Sequence, residues 1–241
     1  MPDNYLSPKT LIDEIKTDGQ IAYTYSEPLV HAEYLIDCME EAKKKGAANV
    51  LVTNGCINPE AAEEILSRTD AANIDLKCFS EKTYRNILGG NLETVLDFIR
   101  LALSLGVHIE ITTLIVPDLN DSEAELMEIA GFIAELNTKN AVPWHVSAYH
   151  PDWKWDAPPT EPGVLVSIAK KAKCSLPYVY TGNIIGENNN TACTCGALLV
   201  KRRGYHTDIS GLRLPPGCSQ DKMPVYYHCA ECGNETPVRY W

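Results

Sequence analysis

Long apolar runs are absent from this 241-residue sequence. No stretch approaches the roughly 20 consecutive apolar residues that a membrane-spanning helix needs, and the N-terminus has no apolar core of the signal-peptide kind. An excess of positive charge is also missing, because the 32 acidic residues outnumber the 21 Lys and Arg residues and give a formal net charge of −11. These absences argue against membranes and nucleic acids as partners. We therefore expect a cytoplasmic globular protein.

Strand-like and helix-like segments alternate through most of the chain. Short apolar runs such as NVLVTNG at 49–55 recur, with amphipathic helices between them, and caps of these helices are predicted at Asn58, Ser80 and Asn91. This order is typical of parallel βα units, in a barrel or in an open doubly wound sheet. From about residue 190, long helices cease and Cys, Gly and Pro become frequent. The sequence thus predicts an α/β domain over residues 1–189 and a cysteine-rich segment over 190–241.

Polar residues recur at the carboxyl ends of the predicted strands. They are Ser26, Glu27, Thr53, Asn54, Asp75, Lys77, Thr112, Thr113, Tyr149 and His150. Because parallel α/β proteins bind ligands outside these strand ends, five such ends in series predict a binding site. Structural alternatives exist for several of them. Glu27 could instead cap the helix that begins near Leu29. Asp75 and Lys77 could form an ion pair, and His150 could be an ordinary loop residue.

Four of the nine cysteines form close pairs near the C-terminus. Cys193 and Cys195 form a Cys-x-Cys pair, and Cys229 and Cys232 form a Cys-x-x-Cys pair. Such spacing lets two thiolates of one tight turn bind a single ion, and two such turns supply the four thiolates of a structural zinc site. The sequence therefore predicts a zinc-ribbon or rubredoxin-like segment that holds zinc, with Cys218 as an alternative ligand.

The segments AYTYSEP, VLVTNG, NIDLK, TTLIVPDLND and AYHP, in this order, resemble the radical S-adenosylmethionine (SAM) enzymes. The resemblance is strongest to the pyruvate formate-lyase activating enzyme-like group, in particular to the radical SAM proteins of the AmmeMemoRadiSam system. It implies a partial (β/α) barrel of parallel strands that holds SAM across the strand ends. It also implies an oxidoreductase in which a [4Fe–4S] cluster cleaves SAM reductively. The resulting 5′-deoxyadenosyl radical abstracts hydrogen from a glycyl-radical enzyme, or from another protein or small-molecule substrate.

The resemblance also implies roles for the polar strand ends. Ser26 and Glu27 match the motif that receives the amino group of methionine. The residues implied near the methionine carboxylate and the ribose are Thr53, Asn54, Asp75, Lys77, Thr113 and His150. Thr112 departs from the family, because some activating enzymes have an arginine at this position.

The defining CxxxCxxC motif of the family, which supplies three thiolates to the cluster, does not occur in the sequence. The N-terminal residues resemble the segment that follows this motif. We therefore expect a family member without its first βα unit and cluster loop, which by itself does not cleave SAM. It would be a truncated form, an incomplete gene product or a protein that has lost the cluster. The missing unit would leave an exposed strand edge through which the chain could self-associate.

Two other functions are compatible with these residues. The first is a non-catalytic, incomplete barrel that binds SAM or a partner protein. The second is an unrelated barrel enzyme of the aldolase or hydrolase kind, with Lys77 or Asp75 in a catalytic role. The second is disfavoured because no Gly-rich phosphate-binding loop is present.

Overall fold

The structure is a computed structural model that describes residues 6–14, 19–136, 141–152, 154–184, 189–203, 206–218 and 225–240. The chain forms two compact units, Met1–Thr113 and Leu114–Trp241. None of the described helices is long and apolar enough to cross a membrane. The predicted domain boundary between residues 189 and 190 remains a prediction.

The first unit alternates strands with helices. Its elements in chain order are α1 (Pro8–Asp13), β1 (Gln20–Tyr23), a 3-10 turn (Pro28–His31), α2 (Ala32–Lys44), β2 (Ala48–Thr53), α3 (Pro59–Leu66), β3 (Ala71–Asp75), α4 (Glu81–Thr83), a π-helical turn (Tyr84–Leu88), α5 (Leu92–Ser104) and β4 (His108–Ile115), whose last two residues belong to the second unit. Strands β1 to β4 pair in chain order, and every pair is parallel. The predicted parallel βα units are therefore present.

The second unit begins with parallel strands and ends with antiparallel ones. Its elements in chain order are α6 (Glu123–Leu136), β5 (Trp144–Ala148), α7 (Pro162–Ala172), β6 (Val179–Gly182), β7 (Thr191–Ala192), β8 (Leu198–Arg203), β9 (His206–Asp208), β10 (Leu212–Arg213), β11 (Val225–Cys229) and β12 (Glu235–Tyr240). Strands β5 and β6 are parallel. Strands β7–β8–β9 and β10–β11–β12 form two small antiparallel sheets. The change in residue composition near residue 190 thus coincides with a change from parallel to antiparallel strands.

Helix caps form where the sequence predicts them. The side chains of Asn58 and Asn91 each accept a hydrogen bond, at 2.9 Å, from the backbone N–H of Ala61 and Thr94 respectively. Helix α2 ends at Lys44, and Gly46 follows it with a φ of 74°, a left-handed conformation that glycine adopts without strain. Because these signals are local, they fix where each helix begins or ends, and hence how long each strand-to-helix loop is.

Helix α1, which the sequence analysis did not predict, packs on α2 beside strand β1. Ile12 of α1 is fully buried and belongs to a small core with Cys38 and Ala42 of α2. Half-buried Ile21 and Tyr23 of β1 pack against this core. Within the part of the chain that the structure describes, β1 pairs only with β2 and is therefore an edge strand. Self-association through this edge stays a prediction.

Asn49 of β2 connects three elements of the first unit through its buried side chain. Its Oδ1 accepts a hydrogen bond from the Tyr23 hydroxyl at 3.1 Å, and its Nδ2 donates to the carbonyls of Met39 at 3.1 Å and Arg68 at 2.9 Å. The side chain is fully buried. Its loss would leave these buried polar groups unsatisfied, which costs about 1–3 kcal/mol for each group.

We expect Asn49→Asp to lower the free energy of unfolding by at least about 3 kcal/mol, because a carboxylate oxygen would face two carbonyl oxygens in a buried site. Urea denaturation measures this change. Asn86→Asp, the same substitution at an exposed position, is the matched control and should change stability by less than about 0.5 kcal/mol. Equal stability of the two variants would contradict the assigned role of Asn49.

Candidate functional site

A cleft of about 380 Å³ lies at the carboxyl ends of β1, β2 and β3 in the first unit. Its polar side chains come from residues that end or follow these three strands, and its apolar wall comes mainly from the 3-10 turn and the π-helical turn. The lining consists of Glu27, Leu29, Val30, Asn54, Cys56, Asp75, Lys77, Tyr84, Leu88, Gly89 and Gly90. Four of the eight predicted SAM-binding residues therefore meet in one cleft.

The carboxylate of Glu27 makes three hydrogen bonds at the cleft. Its Oε1 accepts from the backbone N–H of Leu29 at 3.2 Å and from the Thr53 hydroxyl at 2.5 Å. Its Oε2 accepts from the backbone N–H of Asn54 at 2.8 Å. Glu27 therefore caps the 3-10 turn, as the structural alternative predicted, and also lines the cleft. Because a carboxylate can accept about four hydrogen bonds, it can still accept one from a ligand.

The turn before Glu27 is strained. Tyr25 has a φ of 73° and a side chain that is fully exposed, and a bulky residue in this conformation costs about 1–2 kcal/mol. Such strain is common in functional loops. Ser26, which the resemblance places beside the amino group of methionine, is exposed on this turn and does not line the cleft.

Asp75 and Lys77 form an ion pair in the cleft, with 2.7 Å between Lys77 Nζ and Asp75 Oδ2. They lie two residues apart at the end of β3, so their side chains point to the same side. Both side chains are about one-third exposed, at 31% and 39% respectively. The pair places a hydrogen-bond acceptor next to a charged donor, an arrangement that suits a ligand with hydroxyl groups.

Two of the predicted threonines hold the strand ends and do not line the cleft. Thr53 is buried; its hydroxyl donates to Glu27 and accepts from the backbone N–H of Gly55 at 3.1 Å. Thr113 is fully buried, and its hydroxyl donates to the carbonyl of Leu76 at 2.8 Å. Both hydroxyl groups therefore support the strand ends from which the cleft is built.

His150 belongs to the second unit and lies in the loop after β5. Its ring is exposed, and Nε2 lies 3.3 Å from the carbonyl oxygen of Asn183, the residue that follows β6. Asn183 Nδ2 donates in turn to the carbonyl of Ala148 at 3.0 Å. His150 thus sits where the ends of β5 and β6 meet.

The sequence analysis missed Tyr84, a buried aromatic residue that lines the cleft. It lies in the π-helical turn, whose periodicity matches neither a helix nor a strand pattern. The only local signals were Ser80, which caps α4, and the pair Gly89–Gly90, which closes the turn. These signals mark a break in the chain but not which side chain enters the cleft.

The four paired cysteines form one cluster in the second unit. Their sulfur atoms all lie within 4.8 Å of one another. The distance is 3.6 Å between the sulfurs of Cys193 and Cys232, and 3.9 Å between those of Cys195 and Cys229. Four zinc–sulfur bonds of about 2.3 Å in tetrahedral geometry place the sulfurs about 3.8 Å apart. The spacing thus fits one metal ion, and Cys218 is not part of this group.

The two cysteine turns close in the same way despite their different lengths. The backbone N–H of the first cysteine, Cys193 or Cys229, donates to a carbonyl across its turn at 2.8 Å. A glycine with a positive φ follows the second cysteine, Gly196 at 91° and Gly233 at 80°. The shorter Cys-x-Cys turn therefore presents its thiols as the longer turn does.

The thiols influence one another's ionisation. A hydrogen bond from the backbone N–H of Cys195 lowers the pKa of Cys193 to about 7. The N–H of Ala197 has the same effect on Cys195, but the adjacent sulfurs of Cys232 and Cys193 outweigh it and raise the pKa of Cys195 to about 12. Like charges at this distance repel one another, so four thiolates need a cation to neutralise them. A bound metal ion would supply this positive charge.

Comparison with known proteins identifies the family. The Radical SAM superfamily pattern matches residues 3–130. The chain belongs to the radical SAM superfamily. Its predicted resemblance is therefore confirmed.

Relatives of this radical SAM chain include an uncharacterized protein of Methanocaldococcus jannaschii, 39% identical over 197 residues, which cover 80% of this chain and 58% of that protein. The pyruvate formate-lyase-activating enzyme of Clostridium pasteurianum is 29% identical over 135 residues, which cover 56% of each chain. The chain thus spans somewhat more than half the length of these relatives. A crystallised domain of pyruvate-formate lyase-activating enzyme from Bacteroides vulgatus superimposes with a TM-score of 0.59 at 21% identity, over 68% of this chain and 99% of that one. This likeness confirms the predicted fold class.

The [4Fe–4S] cluster implied by the radical SAM family has no matching ligand set among these residues. The sequence contains no CxxxCxxC motif. Within the described ranges, the C-terminal cysteines are the only group of three or more residues placed to hold a metal, and their close spacing fits one ion. The residues that the structure describes therefore do not supply the ligands of the cluster.

We expect Thr53→Val to lower the free energy of unfolding by about 2–3 kcal/mol, because the change keeps the shape of the side chain but leaves Glu27 and the Gly55 N–H each without one partner. Chemical denaturation measures this change. Thr207→Val, at an exposed position on β9, should have little effect. A Thr53→Val variant of unchanged stability would show that the hydroxyl does not support the cleft.

Proposed function

We propose that the cleft at the ends of β1, β2 and β3 binds SAM, and that the chain serves radical chemistry of the pyruvate formate-lyase-activating type. The observation that carries this proposal is the meeting of Glu27, Asn54, Asp75 and Lys77, from three successive strand ends, in one cleft of a radical SAM fold. The likeness to pyruvate formate-lyase-activating enzymes supports this type of chemistry.

The cleft offers complementary groups for both ends of SAM. The ammonium of the methionine part would occupy the remaining acceptor position on Glu27. Asp75 would accept hydrogen bonds from the ribose hydroxyl groups, and Lys77 would donate to their oxygens. Leu29 and Val30 would contact the apolar parts of the ligand. Thr53 would act through Glu27 as a positioning residue.

The remaining predicted residues lie outside the cleft. Thr113 would support the end of β4 through its bond to the Leu76 carbonyl. Ser26 and His150 stay predictions as SAM contacts.

SAM bound beside a [4Fe–4S] cluster is, in this family, the source of the 5′-deoxyadenosyl radical that abstracts hydrogen. The proposed role of the residues of this chain is to bind and orient SAM. The proposed target is a glycine of a glycyl-radical enzyme, with another protein or a small molecule as the alternative substrate.

The two rival functions differ from this proposal in testable ways. An aldolase-type Lys77 would need an amine that is free to attack a carbonyl carbon, whereas Lys77 Nζ is engaged by the Asp75 carboxylate at 2.7 Å. Family membership also argues against an unrelated enzyme. A non-catalytic SAM-binding barrel would bind SAM through the same residues but would support no hydrogen abstraction.

We also propose that the protein works in a reducing, cytoplasmic compartment. Four of the cysteines are placed to hold one metal ion, and paired cysteines serve as metal ligands mainly in reducing surroundings, where they do not form disulfides.

We expect the wild-type chain to bind SAM in a calorimetric titration and Glu27→Gln to bind it at least about tenfold more weakly, because the variant loses the negative charge that faces the ammonium. Glu128→Gln, at an exposed position on α6, is the matched control and should bind as the wild type does.

Absence of SAM binding by the wild type would refute the proposed function. Equal affinity of Glu27→Gln and the wild type would instead remove only Glu27 from the site.

We further propose that the four-cysteine cluster holds a structural zinc ion. Four thiolates complete a tetrahedral zinc shell and leave no open position for chemistry. The buried sulfurs of Cys193 and Cys229 belong to the small core of the antiparallel segment, with Leu199 and Val200. The ion would therefore hold together a segment that has few apolar residues of its own.

We expect elemental analysis of the purified chain to find one zinc ion per molecule. Cys232→Ser should remove most of it, because three thiolates hold zinc less tightly than four, whereas Cys174→Ser, at an exposed thiol outside the cluster, should leave it in place. A metal-free wild type, or zinc retained in full by Cys232→Ser, would argue against the zinc site. Iron in place of zinc would indicate a rubredoxin-like centre.

A further inference from the structure

Among the described residues, the Tyr84 hydroxyl makes one hydrogen bond, which it accepts, and its own hydrogen is not donated. The side chain is 4% exposed and lines the cleft. Its oxygen accepts a hydrogen bond from the backbone N–H of Lys77 at 3.2 Å, and its hydrogen meets no acceptor among the residues that the structure describes. A tyrosine hydroxyl can donate one hydrogen bond in addition to those that it accepts. The donor is therefore available to a ligand that fills the cleft.

The local backbone conformation places the Tyr84 side chain in the lining of the cleft. Tyr84 begins the π-helical turn, and its carbonyl accepts the N–H of Gly90 at 3.0 Å. Gly89 closes the turn with a φ of 70°. π-Helical turns are rare overall, and those that occur are often found at functional sites. A methyl group added at Gly90 would lie 3.3 Å from Cys56 Sγ and 3.5 Å from the Tyr84 ring, so Gly90 packs directly beside both side chains.

The hydroxyl of Tyr84 lies at the end of β3, where Asp75 and Lys77 project into the same cleft. Asp75 can only accept hydrogen bonds and the Lys77 ammonium can only donate them, whereas Tyr84 adds a neutral donor. A vicinal diol matches such a set, because each hydroxyl group both donates and accepts. Burial raises the pKa of Tyr84, so its hydroxyl stays protonated at neutral pH.

We propose that Tyr84 is a further SAM-binding residue, whose hydroxyl donates a hydrogen bond to a ribose oxygen of the ligand. This inference rests on the proposed binding of SAM in the cleft. A purely structural role is the alternative, in which the hydroxyl only holds the Lys77 N–H. The two roles differ in whether the effect of removing the hydroxyl depends on the ligand.

The test is a set of titrations of the wild type and Tyr84→Phe with SAM, 2′-deoxy-SAM and 3′-deoxy-SAM. We expect Tyr84→Phe to bind SAM about tenfold more weakly than the wild type does, the usual effect of one lost hydrogen bond. For the analogue that lacks the accepting oxygen, the two proteins should bind equally. Tyr23→Phe is the matched control, because its half-buried hydroxyl bonds to Asn49 outside the cleft; it should bind SAM as the wild type does.

Each other result counts against the proposal. Weakening by the same factor for all three ligands would assign Tyr84 a structural role, and unchanged SAM affinity would remove it from the site. If Tyr84→Phe fails to fold, Tyr84→Met, which also lacks the hydroxyl and whose flexible side chain fills the space, takes its place in the same titrations, and an equal loss of affinity for all three ligands again counts against the proposal. SAM binding by the wild type together with a negative Tyr84 result refutes only this inference, whereas no SAM binding refutes the proposed function as well.

Discussion

The site depends on one carboxylate. Glu27 follows β1, yet two of its three hydrogen-bond donors, the Thr53 hydroxyl and the Asn54 N–H, belong to the end of β2. The third, the N–H of Leu29, begins the 3-10 turn that forms one wall of the cleft. A single ionised group thus joins two strand ends and a turn. Because hydrogen bonds to a charged acceptor are stronger than neutral ones, this arrangement can hold the strained Tyr25 in place.

The sequence predicted the parts of the fold that depend on local chemistry. Caps such as Asn58 and Asn91 form because a side chain bonds to a backbone N–H three residues away. The strand ends that carry Asn54, Asp75 and Lys77 were also predictable, because apolar runs stop there. The direction of each side chain was less predictable. Both faces of a parallel sheet are covered, so the sequence alone does not show that Thr113 points into the core.

The π-helical turn shows more clearly what could not be predicted from the sequence. Tyr84 enters the cleft because the chain departs from the 3.6-residue period just after a capped helical start at Ser80. No apolar periodicity marks such a departure, and the aromatic residue looks like any core tyrosine in the sequence. The cysteine segment was easier to interpret from the sequence. The turns are local and their spacing predicted a metal site, but only the fold brings the sulfur of Cys193 close to that of Cys232, 39 residues away.

The charge of the cleft agrees with the proposed ligand. Glu27 and Asp75 contribute two carboxylates and Lys77 one ammonium, so these groups leave one net negative charge. SAM carries an ammonium, a sulfonium and a carboxylate and has one net positive charge, which the charge of the proposed site would attract. S-adenosylhomocysteine lacks the sulfonium charge and is neutral overall, so the same field would favour SAM over it. Tyr84, as a neutral donor, would add specificity for the ribose without changing this balance. In the proposed site, charge would therefore select the sulfonium compound, while uncharged hydrogen bonds would fix its orientation.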